Sequence, residues 1–86
     1  MQVGFRKHFK KQFEKLPKKI QGHFYRKLNI FITNPFHPIL NNHKLSGSMK
    51  NMWSINVTGD IRAIYEQINK TSVLFLTIAN HNNLYE

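Results

Sequence analysis

Phe5, Phe9, Phe13 and Leu16 recur at i, i+4, i+8 and i+11, with lysines filling many of the positions between them. That spacing marks one face of a helix, so the segment is predicted to be helical and amphipathic. Pro17 ends it and suits the opening of a second helix, because proline's missing N–H costs nothing in a first turn. Ile20, Phe24, Leu28, Phe31 and Ile32 form a second apolar stripe, which Thr33-Asn34-Pro35 closes. Two helices joined by so short a link predict an αα-hairpin.

Residues 34–51 are punctuated by Pro35, Pro38 and Gly47 and hold no sustained period, which reads as a loop or a short edge strand around Ile39 to Leu45. From Met52 the period becomes two. Trp53, Ile55 and Val57 alternate with Ser54 and Asn56, and Thr58-Gly59-Asp60 supplies turn chemistry. Ile61 to Ile68 makes a second strand, broken at Asn69-Lys70-Thr71. Val73 to Ala79 is apolar on both faces, so it is expected inside the sheet and beneath the helices. The order α-α-β-β-β predicts an α+β fold, an N-terminal helical hairpin packed on a small antiparallel β-sheet, with one domain over residues 1–86.

Composition narrows what such a domain does. Its 86 residues include seven Phe, three Tyr and one Trp, enough to build a core and too few residues overall for a multidomain enzyme. There is no cysteine, which excludes disulfides and thiolate metal sites and fits a reducing cytoplasm. The run Val73 to Ala79 is too short to cross a bilayer, and the basic N-terminus lacks the apolar region of a secretory signal. Thirteen Lys and Arg face four Asp and Glu, a formal charge of +9 that calls for an anionic partner. The charge is concentrated: Arg6, Lys7, Lys10, Lys11, Lys15, Lys18, Lys19, Arg26 and Lys27 stand among the first 27 residues with the single acid Glu14. The first third carries the field, and anything more specific falls to the rest.

Candidate chemistry is sparse. The histidines at 8, 23, 37, 43 and 81 have no metal-ligand spacing, and no Gly-rich phosphate loop or G-x-S-x-G motif occurs, so neither metal nor cofactor is expected. Arg62 alternates with Ile61 and Ala63. If those two and Tyr65 pack on the helices, the Arg62 guanidinium is offered from the open face, where it can hold a phosphate bidentately; a surface ion pair with Asp60 or Glu66 is the plainer alternative. His81 follows the most apolar strand, where a histidine can do acid or base work; the alternative is a solvated loop histidine. Trp53 reads as half-buried core or as a base-stacking platform.

The runs His43-Lys44-Leu45-Ser46-Gly47, Trp53-Ser54-Ile55-Asn56-Val57, Gly59-Asp60-Ile61-Arg62-Ala63-Ile64-Tyr65 and His81-Asn82-Asn83-Leu84-Tyr85 resemble, in order, the RelE/ParE toxin superfamily of bacterial toxin–antitoxin systems, and most of all its YafQ and YoeB branch. The resemblance spans essentially the whole chain. It implies a small ribosome-dependent endoribonuclease that cuts mRNA in the A site by attack of the ribose 2′-OH on its own 3′-phosphodiester. It also implies an acidic antitoxin that holds the nuclease inactive in a hetero-oligomer. On this resemblance Arg62 matches the phosphate-stabilising arginine, His81 the C-terminal acid or base, Tyr85 a terminal aromatic, His43 a second proton-transfer group and Asp60 an acidic turn residue. Lys44, Lys50, Trp53 and Asn56 would contact substrate, and Lys7, Lys10, Lys11, Lys15, Lys18 and Lys19 would contact ribosomal RNA. Asn56 stands where the YafQ branch has a further histidine, and Ala79-Asn80 replaces the common Gly-Thr. The same superfamily implies two rival readings, a ParE-like inhibitor of DNA gyrase and a degenerate member that binds RNA or antitoxin without catalysis.

Overall fold

A computed structural model describes residues 1–47 and 51–81. The chain runs β1 (Gln2–Phe5), α1 (Lys7–Glu14), α2 (Lys18–Thr33), a 3₁₀ turn (Pro38–Leu40), β2 (His43–Lys44), β3 (Met52–Asn56), β4 (Ile61–Asn69) and β5 (Ser72–Asn80). The strands form one sheet in the order β1-β5-β4-β3-β2. β2 to β5 pair antiparallel, as the sequence predicts, and the apolar β5 lies inside the sheet.

One strand departs from that reading. Gln2 to Phe5 form no helical turn; they pair parallel to Ser72–Phe75, so the sheet is mixed rather than antiparallel. The first helix accordingly starts at Lys7, and the stripe from Phe5 to Leu16 straddles a strand, a helix and a turn. The error has a physical source: the Phe5 ring, carried on the strand, still lies 5.3 Å from Phe9 and 5.7 Å from Phe75. The helical spacing therefore reports a real ring cluster while the partner that makes residues 2–5 a strand is about 70 residues away.

Where β1 ends, α1 takes over the edge of β5. Gln12 Oε1 accepts from the Ile78 amide at 2.9 Å and from Thr77 Oγ1 at 2.8 Å, replacing the ladder bonds that β1 no longer supplies. Between the helices, Gln21 Nε2 donates to the Phe13 and Leu16 carbonyls, both at 3.1 Å, and so ties the start of α2 to the end of α1, where the Phe13 carbonyl also accepts from the Leu16 amide. Ile32, which the stripe on α2 assigns to the core, is 40% exposed.

The core lies between the hairpin and one face of the sheet. Phe9, Phe24, Phe31, Ile55, Ala63, Tyr65, Phe75 and Ile78 are buried there. Phe24 meets Phe9, Phe13 and Phe75 at centroid distances of 5.4, 5.5 and 5.5 Å, so the helices and the sheet are joined through rings. Strand register puts Ser54, Asn56, Arg62, Ile64 and Ala79 on the opposite face. Ile64 is buried at 4% exposure yet stands apart from the core cluster, which fits that assignment. No helix among the described residues is long and apolar enough to cross a membrane.

Candidate functional site

The turn between β3 and β4 organises one end of the open face. Thr58 Oγ1 accepts from the amides of Asp60 at 3.3 Å and Ile61 at 3.1 Å, and the Val57 amide donates to the Ile61 carbonyl at 2.9 Å. With the amides of Val57, Thr58, Asp60 and Ile61 used internally, the turn offers carbonyls outward. Arg62 Nη1 donates to those of Thr58 at 3.1 Å and Gly59 at 2.9 Å, and the His81 amide donates to that of Asp60 at 2.8 Å. One short turn thus fixes both the guanidinium and the start of the segment after β5.

Gly59, Asp60, Arg62, Asn80 and His81 line a single shallow depression of about 390 Å³. Across the strands Arg62 stands between Asn56 on β3 and Ala79 on β5. The alanine methyl leaves room beside the guanidinium. Asn56 Oδ1 is buried and accepts no hydrogen bond among the described residues. The plainer reading of Arg62 does not hold: its bonds go to turn carbonyls, and it forms no ion pair with Asp60 or Glu66 among the described residues. Only one Nη atom is engaged by those two carbonyls, so the rest of the fork remains to meet an anion.

The other predicted residues fall into three groups. His43 shares the open face but stands two strands from Arg62 and two residues along, about 12 Å between Cα atoms by strand spacing and rise. Its Nδ1 is 2.8 Å from the Asn41 carbonyl and donates to it, which leaves Nε2 as the acceptor of the neutral ring. Lys44 and Trp53 pair with each other on the helix side of the sheet, not beside Arg62 and His81, and Trp53 packs edge-to-face on Phe36 at 5.9 Å. Lys7, Lys10, Lys11, Lys15, Lys18 and Lys19 are all exposed on α1, the link after it and the start of α2. Lys50 and Tyr85 lie outside the described residues.

The sequence reading gave Thr58 only as turn chemistry and Asn80 only as a departure from the family's Gly-Thr; that the Thr58 hydroxyl and carbonyl hold the turn and Arg62, and that Asn80 lines the depression, appear only in the structure. Away from the depression, His23 has a pKa below the ordinary histidine value of 6.5, through partial desolvation first and then the cations of Arg26, Lys27 and Lys19. Arg26 Nη2 donates to its Nδ1 at 2.8 Å, a bond that only the unprotonated nitrogen accepts.

Solved structures with this architecture are known. YafQ from E. coli superposes with a TM-score of 0.81 at 18% identity, over 98% of this chain and 97% of that one. A YoeB/ParE toxin from Agrobacterium tumefaciens gives 0.79 at 15% identity, over 94% and 99%. A RelB–RelE antitoxin–toxin complex from Methanococcus jannaschii gives 0.75 at 21%, over 96% and 95%. The chain has the RelE/ParE toxin fold. No protein-family model and no curated protein matches its sequence. At these identities the likeness is one of fold, and within the RelE/ParE fold it is the depression at Arg62 and His81 that carries the chemical argument.

Proposed function

We propose that this protein is the toxin of a type II toxin–antitoxin pair and that it cleaves ribosome-bound mRNA without a metal. The observation that carries the reading is the depression shared by Arg62 and His81 and framed by the Thr58–Asp60 turn. In the proposed reaction a base takes the proton of the 2′-OH, O2′ attacks the adjacent phosphorus, and the 5′-oxygen leaves with a proton. The products are a 2′,3′-cyclic phosphate and a free 5′-OH. Arg62 stabilises the charge that builds on the phosphorane, and His81 serves one of the two proton transfers. Asn56 holds no exchangeable proton of suitable pKa, so the second transfer falls to His43 on the same face. Asp60 borders the phosphate site, and the lysines of α1 and α2 dock on ribosomal RNA by sequence-independent contacts. An acidic antitoxin covers the same basic surface.

The test is purified protein added to a translation extract, with mRNA ends mapped. Cleavage that leaves 5′-OH ends only when ribosomes are present is the expected result; intact mRNA ends the proposal. Growth arrest on expression is relieved by His81→Ala and by Arg62→Ala, and full toxicity in both folded variants removes them from the mechanism. Asn56 favours a second reading, a non-catalytic binder of the same fold, because an amide cannot do the proton transfer of a histidine beside Arg62. A ParE-like member of this kind would act on gyrase, and inhibition of supercoiling with mRNA left intact would select it.

A further inference from the structure

At the far end of the sheet from His81, and on its other face, a second cleft of about 470 Å³ opens between the end of α2, the loop after it and the ends of β3 and β4. Buried Phe31 and Tyr65 form its floor, Phe36 and Trp53 its walls, and Gln67 and Lys70 part of its rim. We propose that this cleft binds a base of single-stranded RNA, stacked on Phe36 beside Trp53, with Lys70 and Lys44 meeting the backbone phosphates.

Phe36 is 64% exposed, the most exposed large apolar side chain described, yet its loop is tied down. Asn42 Nδ2 donates to the Pro35 carbonyl at 2.9 Å while Asn42 Oδ1 accepts from the Tyr65 hydroxyl at 2.9 Å. The His37 amide donates to the Asn34 carbonyl at 3.0 Å on the other side of the ring. A ring held in water by three hydrogen bonds at its flanks is a preformed platform, and stacking on it costs little ordering. Its 73° interplanar angle with Trp53 makes a corner that a flat group can enter.

Charge selects the occupant. Lys70 lines the cleft, Lys44 is exposed opposite Trp53, and none of the described lining residues is acidic. Glu66, the nearest acid along β4, faces the other side of the sheet by register. An anion that carries an aromatic plane satisfies both features, which is the combination by which proteins hold single-stranded nucleic acid. An aliphatic side chain from an acidic protein would meet the same lysines, but it draws nothing from the ring faces and sets against carbon Gln67 Oε1 and Asn69 Nδ2, the ends of those amides that the bonds to Asn69, Ser72 and Thr71 do not use. A base presents a polar edge to them.

Trp53 is the only tryptophan, so its fluorescence reports on this cleft directly. The intact protein is titrated with a pentamer of adenylate and with an abasic pentamer of equal charge. Adenylate is expected to quench Trp53 saturably and to bind roughly 5- to 150-fold more tightly than the abasic strand, the range for one base on one aromatic side chain. Phe36→Ala and Phe36→Leu should both erase that preference, and Lys70→Ala should weaken both strands to similar extents. Arg62→Ala should leave the quench in place, which separates this cleft from the proposed cleavage site. Equal binding of the two pentamers overturns the proposal. So does a fully retained preference in a folded Phe36→Leu protein, since that assigns the cleft to an aliphatic side chain. Loss of the quench in Arg62→Ala overturns it as well.

Discussion

The two faces of the sheet are built from the same strands, alternate residues of one chain, and they do opposite things. On the helix side Ile55, Ala63, Phe75 and Ile78 meet the rings of α1 and α2, and water is excluded. On the open side, at the matching positions one residue along, Asn56, Arg62 and Ala79 form a cross-strand row, in which the Arg62 guanidinium reaches the turn carbonyls while Asn56 Oδ1 is buried. The first face holds the fold by burial, which is additive and tolerant of what each residue is, provided it is apolar and of the right size. The second depends on directed bonds from a few atoms, and one substitution there changes chemistry with little change in stability.

That contrast is testable in descending order of effect. Phe24→Ala removes a ring in contact with Phe9, Phe13 and Phe75, and should cost about 3–5 kcal/mol in denaturant unfolding, enough to unfold much of a domain this small. Arg62→Ala should lower mRNA cleavage about 10²- to 10³-fold, the cost of removing one stabiliser of developing charge, while the unfolding midpoint moves by far less than in Phe24→Ala. Equal damage to stability and cleavage from Arg62→Ala would erase the distinction between the faces. Gln12→Ala leaves the Ile78 amide and the Thr77 hydroxyl without their acceptor, and should cost about 1–3 kcal/mol with fastest hydrogen exchange along the freed edge of β5.

Smaller effects sharpen the same point. Tyr65→Phe keeps the ring but loses its bond to Asn42, for about 1 kcal/mol by thermal melting. Burial raises the Tyr65 pKa above its usual value of 10.0, with the Asn42 bond opposing, so its hydroxyl stays protonated and donating at neutral pH. His23 gives the smallest effect, a dependence of stability on pH. Its folded pKa lies below the unfolded value of 6.5, so the unfolded chain takes the proton first. The contribution is whole above that pH and is lost as pH falls through 6.5 toward the folded value. His23→Gln should flatten that limb of a melting-temperature profile between pH 7 and 5, and an unchanged limb would remove His23 as its source.

Much of the fold was readable because local periods carry it. The alternation of Trp53, Ile55 and Val57 and the stripe of Phe24, Leu28 and Phe31 set which side each element buries. The Thr-Gly-Asp turn fixed the β3–β4 register, and with it the face of Arg62. The strand at residues 2–5 was not readable, since four residues hold too little period and its partner is Ser72–Phe75. Ile32 misled for another reason: it follows buried Phe31 by one residue, about 100° around the helix, which puts it at the margin of the stripe and leaves it 40% exposed. Trp53 and Lys44 were expected to contact substrate; strand register puts them on the face opposite Arg62, with Trp53 lining the second cleft, a placement that residue type alone does not give.

By itself the sequence determined the basic first third, the two helices, three of the strands and the direction in which Arg62 points, because charge and periodicity are properties of neighbours along the chain. Tertiary structure alone decided that the guanidinium and His81 share one depression, that Gln12 closes the edge of β5, and that Phe36 and Trp53 meet in a second cleft. Each of these joins residues far apart in sequence, and their meeting depends on how the sheet is ordered and how far β1 extends, which no local pattern encodes.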